Sequence, residues 1–193
     1  AEMLYKQGQW TKMMAEMRTF IGQYSGDPAA GELVVQAYWR IAEARKALRQ
    51  TRDYPKALHD VVSAFERSGQ TPGSFAAEYA ANARFLIVDE GIAEFESFTI
   101  SAGKPATLKA YVEGVTQQIE AGGTQAKTRT EGYSVLPSYR RPTWTIAAFV
   151  RQGRIYEVLA RAVLNTPFIV PADLQKKMKG LPDYAKDDIK VQV

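Results

Sequence analysis

The chain has 193 residues, 46% of them hydrophobic and 24% charged, which is ordinary for a protein able to bury a sizeable core. It has no cysteine, so disulfides, thiol catalysis and cysteine-ligated zinc are excluded, and no apolar run approaches the roughly 18 residues of a membrane span. The net charge of +4 is scattered along the chain, which gives only weak support for an acidic partner or nucleic acid.

The first predicted elements are two helices joined by a glycine turn. Leu4 and Tyr5 end the first helix, and Gly8 supplies the turn because glycine adopts a left-handed backbone without strain. Asp27-Pro28 marks the end of the second helix and the approach to a third. The apolar residues of the second helix recur at three- and four-residue steps, as on one helix face: Trp10, Met13, Met17, Phe20 and Ile21.

A third helix is predicted from about Pro28 to Thr51, and a fourth after Asp53, which is a plausible cap. Pro55 suits the first turn of this fourth helix, and Gly69 to Gly73 reads as the loop that follows it. The predicted apolar faces are Val34, Tyr38, Ile41, Ala42, Ala44 and Leu48 in the third helix, and Ala57, Leu58, Val61, Ala64 and Phe65 in the fourth.

Longer helices are predicted beyond Ser74. The first runs from Ser74 towards Ile100, and Gly91 either kinks or breaks it. The second follows the turn Gly103-Lys104-Pro105, and its apolar residues alternate in steps of four and three, as in a coiled-coil seam. The seam positions are Leu108, Val112, Val115, Ile119, Gly122, Ala126, Arg129 and Tyr133.

The centre of this second long helix is the Gly122-Gly123 pair. It indicates either a break or a place where a partner backbone comes close, which makes the first half of the seam the stronger one.

The last part of the chain is also predicted to be helical. Leu136-Pro137 ends the long helix, and Pro142 begins another. An extended link between Pro167 and Pro171 leads to a helix at 172–179, and Tyr184 begins one more after a Gly-Leu-Pro interruption. The inward residues predicted for the helix from Pro142 are Trp144, Ala147, Ala148, Ile155, Tyr156, Leu159 and Val163. No convincing strand is found, so the predicted class is all-α.

Catalytic and metal chemistry is not indicated, so the prediction is no enzyme, no metal and no cofactor. His59 is the only histidine and is interpreted as a surface or boundary residue. The stretch 122–128 has the wrong glycine spacing for a phosphate loop. The four acidic residues between 89 and 96 are interpreted as solvated charge: Asp89, Glu90, Glu94 and Glu96.

Two stretches carry a resemblance to a known family. Tyr5-Lys6-Gln7-Gly8-Gln9-Trp10 through Asp27-Pro28 resembles the tetratricopeptide repeat, and Asp53-Tyr54-x-x-Ala57 resembles it more loosely. A repeat of this kind is a helix hairpin that buries its apolar face only by stacking on neighbouring repeats. The resemblance therefore implies an α-α superhelix, a solenoid of antiparallel hairpins, with repeats at 1–68 (the first truncated) and longer-helix repeats at 69–193.

Two further strings resemble the periplasmic tetratricopeptide-repeat proteins of bacterial envelopes, including those of gliding-motility machinery. They are Ala80-Ala81-Asn82-Ala83-Arg84-Phe85-Leu86, with Phe95 and Phe98, and Arg141-Pro142-x-Trp144-x-x-Ala147-Ala148-x-x-Arg151-x-Gly153-x-Ile155-Tyr156-Glu157. This resemblance implies a non-catalytic scaffold in the periplasm or cell envelope, although the residues do not exclude the cytoplasm. The chain also opens and closes without helix caps, so we expect it to be a fragment of a longer protein.

The leading hypothesis is a scaffold or adaptor that takes a peptide or helix from a partner protein on a curved inner face. If the third helix keeps the phase of a repeat, its inward stripe is Trp39, Glu43, Lys46 and Gln50. The alternative is a helical-repeat module that binds nucleic acid or another anionic polymer. Its basic residues would be Arg40, Arg45, Lys46, Arg49 and Arg52.

Overall fold

The computed structural model describes residues 2–101 and 103–182. Every regular element in these ranges is helical and none is a strand, which confirms the all-α class. The α-helices of the described ranges are α1 (Glu2–Lys6), α2 (Trp10–Tyr24), α3 (Gly31–Ala47), α4 (Tyr54–Arg67), α5 (Phe75–Val88), α6 (Ile92–Glu96), α7 (Leu108–Tyr133), α8 (Pro142–Leu164) and α9 (Ala172–Met178), with 3₁₀ turns at Pro28–Ala30 and Leu136–Tyr139.

The chain forms two compact units. Of the described residues, unit 1 holds 2–92 and 130–152, and unit 2 holds 93–101, 103–129 and 153–182. The boundary predicted between residues 68 and 69 separates two kinds of repeat, and it stays a prediction.

Helices of unit 1 pack on one another in chain order. The helix α2 packs on α3, α3 on α4 and α4 on α5, and α3 also contacts α5 directly. Short connections between neighbouring packed helices produce antiparallel hairpins. The main core combines alanines with branched aliphatic residues: Val35, Ala42, Ala57, Leu58, Val61, Val62, Ala64, Ala76 and Ala83.

The end of α3 differs from its predicted position near Thr51. The helix ends at Ala47 because Arg49 adopts a left-handed backbone, with a φ of +54°. The Gln50 N–H donates to the Arg45 carbonyl and the Arg49 N–H to the Lys46 carbonyl, a pairing that closes helices in the Schellman motif. Glycine usually occupies this left-handed position, so an arginine gives no sequence signal for it.

Helix starts were predicted at Ser74 and after Asp53, and a cap was predicted only at Asp53. The Ser74 hydroxyl accepts from the Ala77 N–H and caps α5, as serine commonly does. Asp53, in contrast, makes no side-chain cap on α4, because its carboxylate pairs with Arg45 at 2.7 Å. At Gly91, where the sequence left a kink or a break open, the backbone is left-handed and separates α5 from α6.

Two carboxylates of α5 hold the segment 130–152 in unit 1. One Glu78 oxygen accepts from the indole N–H of Trp144 at 2.8 Å, and the other pairs with Arg141. The second carboxylate is that of Asp89, directly after α5, which accepts from the Tyr133 hydroxyl at 2.7 Å. The acidic residues predicted to be solvated therefore include one, Asp89, that is a structural anchor.

Replacing Glu78 by alanine is expected to lower the free energy of unfolding by about 1–3 kcal/mol, since Arg141 and the Trp144 N–H lose a charged partner in a partly buried place. Urea denaturation checks this value. The matched control is Glu90→Ala, at an exposed position, which is expected to change stability by less than about 0.5 kcal/mol. Equal losses in the two variants would contradict the anchoring role of Glu78.

In unit 2, α7 passes through Gly122-Gly123 without a break. Gly122 is buried and lies against the Phe98 ring and the Leu159 side chain, so side chains come close there and not a backbone. The prediction that the first half of the seam is the stronger half is wrong, because Val112 is 51% exposed. Burial is instead concentrated in the second half, where Ala126 is fully covered.

The face that α8 buries in unit 2 corrects two predicted inward residues. Ile155, Val158 and Ala162 are buried, and their spacing places them on one helix face. Tyr156 and Val163 follow these residues by one position, which is about 100° further round the helix, and they are 52% and 38% exposed. The predicted helix at 172–179 is confirmed as α9, while the helix predicted from Tyr184 lies outside the described residues.

The adjacent glycines of α7 give a matched pair of stability tests. A Cβ at Gly122 would lie 2.6 Å from Cζ of Phe98, whose ring stacks on Phe95, so Gly122→Ala is expected to cost about 1–3 kcal/mol through overpacking. A Cβ at Gly123 meets nothing within 4 Å, so Gly123→Ala is expected to gain about 0.5–1 kcal/mol. Urea midpoints of the two variants should therefore move in opposite directions, and a shared sign would contradict the packing of Gly122.

Candidate functional site

An open groove in unit 1 collects aromatic side chains from four helices, and we call it the aromatic groove. Its volume is about 470 Å³. The helices α1, α3 and α5 supply most of its lining, and the starts of α2 and α4 close it. The lining residues are Tyr5, Trp10, Trp39, Glu43, Lys46, Ala47, Tyr54, Asn82 and Leu86.

Aromatic contacts fix the walls of the aromatic groove. The rings of Tyr5 and Trp10 meet edge to face, with centroids 5.3 Å apart. Trp39 stacks on Tyr79 at 6.2 Å, and the Tyr79 hydroxyl accepts from the Gln36 side chain at 2.9 Å. Ring pairs at these separations are favourable beyond the area they bury, so these contacts stabilise the walls.

Charged side chains of α3 are held by neighbours within the site. The Arg40 guanidinium donates to Glu43 at 2.8 Å and lies 4.3 Å from the centre of the Tyr5 ring. Burial alone would lower the pKa of Arg40, but the hydrogen bond and the charge of Glu43 outweigh it, and the pKa is raised. Glu43 therefore lines the groove as a member of an ion pair with Arg40.

Lys46 and Tyr54 form the opposite edge of the aromatic groove. The Lys46 ammonium is 5.9 Å from the centre of the Tyr54 ring, near the outer limit of a cation–π contact. The pKa of Tyr54 is raised, first by burial and then by the nearby charge of Glu43, so its phenol stays protonated at neutral pH. The edge therefore presents an exposed cation beside a neutral aromatic ring.

Of the four predicted contact residues, the structure brings together Trp39, Glu43 and Lys46 in the lining of the aromatic groove. Gln50 lies beyond the end of α3, where its carbonyl accepts from the backbone N–H groups of Asp53 and Tyr54. It therefore cannot extend a stripe of that helix.

Sequence reasoning missed the part of the lining that comes from other helices. Trp10 had been assigned to an apolar helix face, Tyr5 to the end of the first helix and Tyr54 to the looser repeat match, and Asn82 lies within an alanine-rich stretch. Asn82 and Leu86 are four residues apart on α5, as Trp39 and Glu43 are on α3. Aligning α3 with α5 as equivalent members of successive pairs is the signal that would have found them.

Other candidate chemistry is not assembled in residues 2–101 and 103–182. No group of three or more His, Asp or Glu side chains in these ranges is placed to hold a metal ion. The stretch 122–128 is helical and cannot form a loop around phosphate. Within the same described part of the chain, no helix has the length and apolar character to cross a membrane.

The basic cluster weighed for anionic polymers is partly engaged in ion pairs. Arg40 pairs with Glu43, and Arg45 pairs with Asp53 at 2.7 Å. These pairs reduce the positive charge that α3 offers to a polyanion, so the alternative function gains no specific support.

Comparison with protein-family models, with curated proteins and with solved structures finds no match for this chain.

The link between Arg40 and Glu43 can be measured by a double-mutant cycle with Glu43→Gln and Arg40→Met. Both side chains are about a quarter exposed, so the coupling is expected to be about 0.5–1.5 kcal/mol in unfolding free energy. Exposed Lys109 and Glu113 of α7, 3.7 Å apart, give a control cycle with a coupling below about 0.5 kcal/mol. Additive effects at the first pair would contradict a formed Arg40–Glu43 contact.

Proposed function

We propose that this chain is a non-catalytic interaction scaffold of the tetratricopeptide-repeat type, which takes a peptide or helix of a partner protein in the aromatic groove. The observation that carries the proposal is the origin of the lining, since α3 and α5 supply six of its nine residues and α1 supplies Tyr5. In a stack of hairpins, the first helices of successive pairs line one face. The proposal treats these three helices as those first members.

The packing order of unit 1 supports this assignment. In addition to the contacts between consecutive helices, α3 contacts α5, as first helices of neighbouring hairpins do when hairpins stack side by side. The stacking of Trp39 on Tyr79 and the hydrogen bond from Gln36 to Tyr79 both lie at this contact. The resemblance at residues 5–28 is independent support, since it rests on sequence.

The side chains of the aromatic groove favour a protein ligand over a small metabolite. The aromatic rings offer contact area to apolar side chains, and Asn82 offers one donor and one acceptor, the pair of groups that a peptide backbone also presents. The groove is open, so an extended or helical segment can pass through it. The resemblance alone leads us to propose that the partner belongs to a bacterial envelope assembly of the motility type.

Site-specific photocrosslinking tests whether a protein occupies the aromatic groove. A benzophenone amino acid at Lys46, an exposed position in the groove, is expected to trap a discrete protein adduct in cells that naturally make this protein. The matched control is Lys56 on α4, another exposed lysine that is not part of the lining. No adduct at Lys46, or the same adducts at both positions, would reject the proposal.

The trapped partner then allows the role of Asn82 to be measured. Asn82→Ala is expected to weaken binding by about tenfold. The variant removes side-chain hydrogen bonds to the partner, each worth about 0.5–1.5 kcal/mol. The variant should keep or raise the thermal midpoint, since alanine is the better helix former. Isothermal titration calorimetry gives the affinity, Lys56→Ala is the control, and unchanged affinity in Asn82→Ala would remove this residue from the contact.

A further inference from the structure

Large apolar side chains that remain exposed are concentrated on α8. Scattered single ones are normal on a protein surface, whereas a contiguous group indicates an interaction site. Of the fourteen large apolar residues that are exposed in the described part of the chain, six lie on this one helix. They are Ile146, Phe149, Val150, Tyr156, Val163 and Leu164.

Most of these residues lie on the side of α8 that is opposite its buried face. The helix is unbroken over 23 residues, so each residue lies about 100° further round the axis than the one before. Measured from the buried Ile155, Ile146 and Leu164 lie in the opposite direction, and Phe149 and Val150 flank that line. We call this face the outer stripe of α8, and its exposed members are Ile146, Phe149, Val150, Gly153, Ala160 and Leu164.

Helix α8 is therefore apolar on two faces, of which only one is covered in the described residues. A helix that is hydrophobic all round is normally buried. Glu157 is the only acid of α8, and its carboxylate is paired with Arg154 and Arg161 of the same helix. The outer stripe thus carries no unbalanced negative charge, and a second apolar surface would complete its burial.

The centre of the outer stripe has small side chains. A Cβ at Gly153 would meet nothing within 4 Å, and Ala160 is exposed. Packed helix axes lie about 8–10 Å apart, and the side chains at the contact set the value. Another helix can therefore lie close to α8 at Gly153, with larger side chains packing on either side.

The outer stripe is complementary to itself. If two copies of α8 lie antiparallel about a two-fold axis at Gly153, each residue faces the one that is equally far from this glycine on the other side. Ile146 then faces Ala160 of the second copy, so a large side chain meets a small one. Val150 faces Tyr156 of the second copy, so apolar groups meet there too.

The charges of α8 are compatible with the same pairing. Arg154 faces Gln152 of the second copy and Arg161 faces Thr145, so no arginine meets an arginine. Glu157 is four residues from Gly153, so it does not face its own counterpart. Like charges across an interface oppose association, and this register avoids them.

The exposed area of the outer stripe is adequate for a weak dimer. Ile146, Phe149 and Val150 are 62%, 59% and 65% exposed, and Leu164 is 83% exposed. Side chains of this size and exposure offer on the order of 500 Å² of apolar surface per copy. A standard complex buries about 800 Å² per partner with its polar margin included, so the contact belongs to the weaker class.

We propose that the outer stripe of α8 is a self-association surface, on which a second copy of this chain docks its own α8, antiparallel and about a two-fold axis near Gly153. The residues of the aromatic groove lie on other helices, so this dimer does not depend on what that groove binds.

Sedimentation velocity of the full chain tests the dimer. The sedimentation coefficient is expected to rise with protein concentration, with a dissociation constant on the order of 10–100 µM. Phe149→Glu places a carboxylate in the outer stripe and is expected to weaken the dimer by about tenfold or more. The matched control is Phe75→Glu on α5, since Phe75 is 68% exposed, and it should leave the dimer unchanged. Both replaced rings are exposed, so both variants should fold, which circular dichroism checks.

A single introduced cysteine tests the position of the two-fold axis. The chain has no cysteine of its own, and a disulfide needs Cα atoms about 4.4–6.8 Å apart, so only a residue near the axis reaches its counterpart. Gly153→Cys is expected to form the cross-linked dimer about tenfold faster than Lys56→Cys, a control at an exposed position of α4.

Three outcomes would overturn the proposal. The first is a chain that stays monomeric at concentrations up to about 500 µM, which would leave the outer stripe to a different partner or to a membrane surface. The second is a dimer that survives Phe149→Glu, and the third is equal cross-linking of the two cysteine variants.

Discussion

Close packing of helices on alanine is the constraint on which unit 1 depends. Five alanines of α5 are fully buried: Ala76, Ala77, Ala80, Ala81 and Ala83. Their side chains end at Cβ, which lets helices pack closely, and Ala76 and Ala83 belong to the core that α5 shares with residues of α3 and α4. The large aromatic rings, which do not fit between such close helices, lie at the margins and become the walls of the aromatic groove. A longer side chain at these alanines would separate α3 from α5 and divide Trp39 from Tyr79.

Backbone conformation at the helix ends explains which boundaries the sequence could predict. Some helix boundaries are typically formed by one residue type, such as glycine in a turn, serine as a cap or proline in the first turn. The sequence predicts these boundaries where that residue is present, as at Gly8, Ser74 and Pro142. Arg49 takes the left-handed position that glycine usually occupies, and an arginine in the sequence does not indicate a left-handed backbone. The predicted third helix was consequently one turn too long, and Gln50 was placed on a helix that it does not belong to.

Sequence reasoning reached three of the nine residues that line the aromatic groove. Trp39, Glu43 and Lys46 follow one another by four and three residues on α3, and helical period alone places them on one face. Tyr5, Tyr54 and Asn82 join them only through tertiary packing, which no local pattern encodes. Burial has the same limit in unit 2, where Tyr156 fits an apolar pattern but lies about 100° from the face that Ile155 defines.

Arg40 connects α1 to α3 at the aromatic groove. Its guanidinium lies over the Tyr5 ring, a wall of the groove, and donates to Glu43, another lining residue. The helix α1 has only five residues, and isolated helices of that length are unstable in water, so Tyr5 is held chiefly by contacts with α2 and α3. Ordering this wall in advance reduces the entropy that a partner of the proposed function must lose on binding.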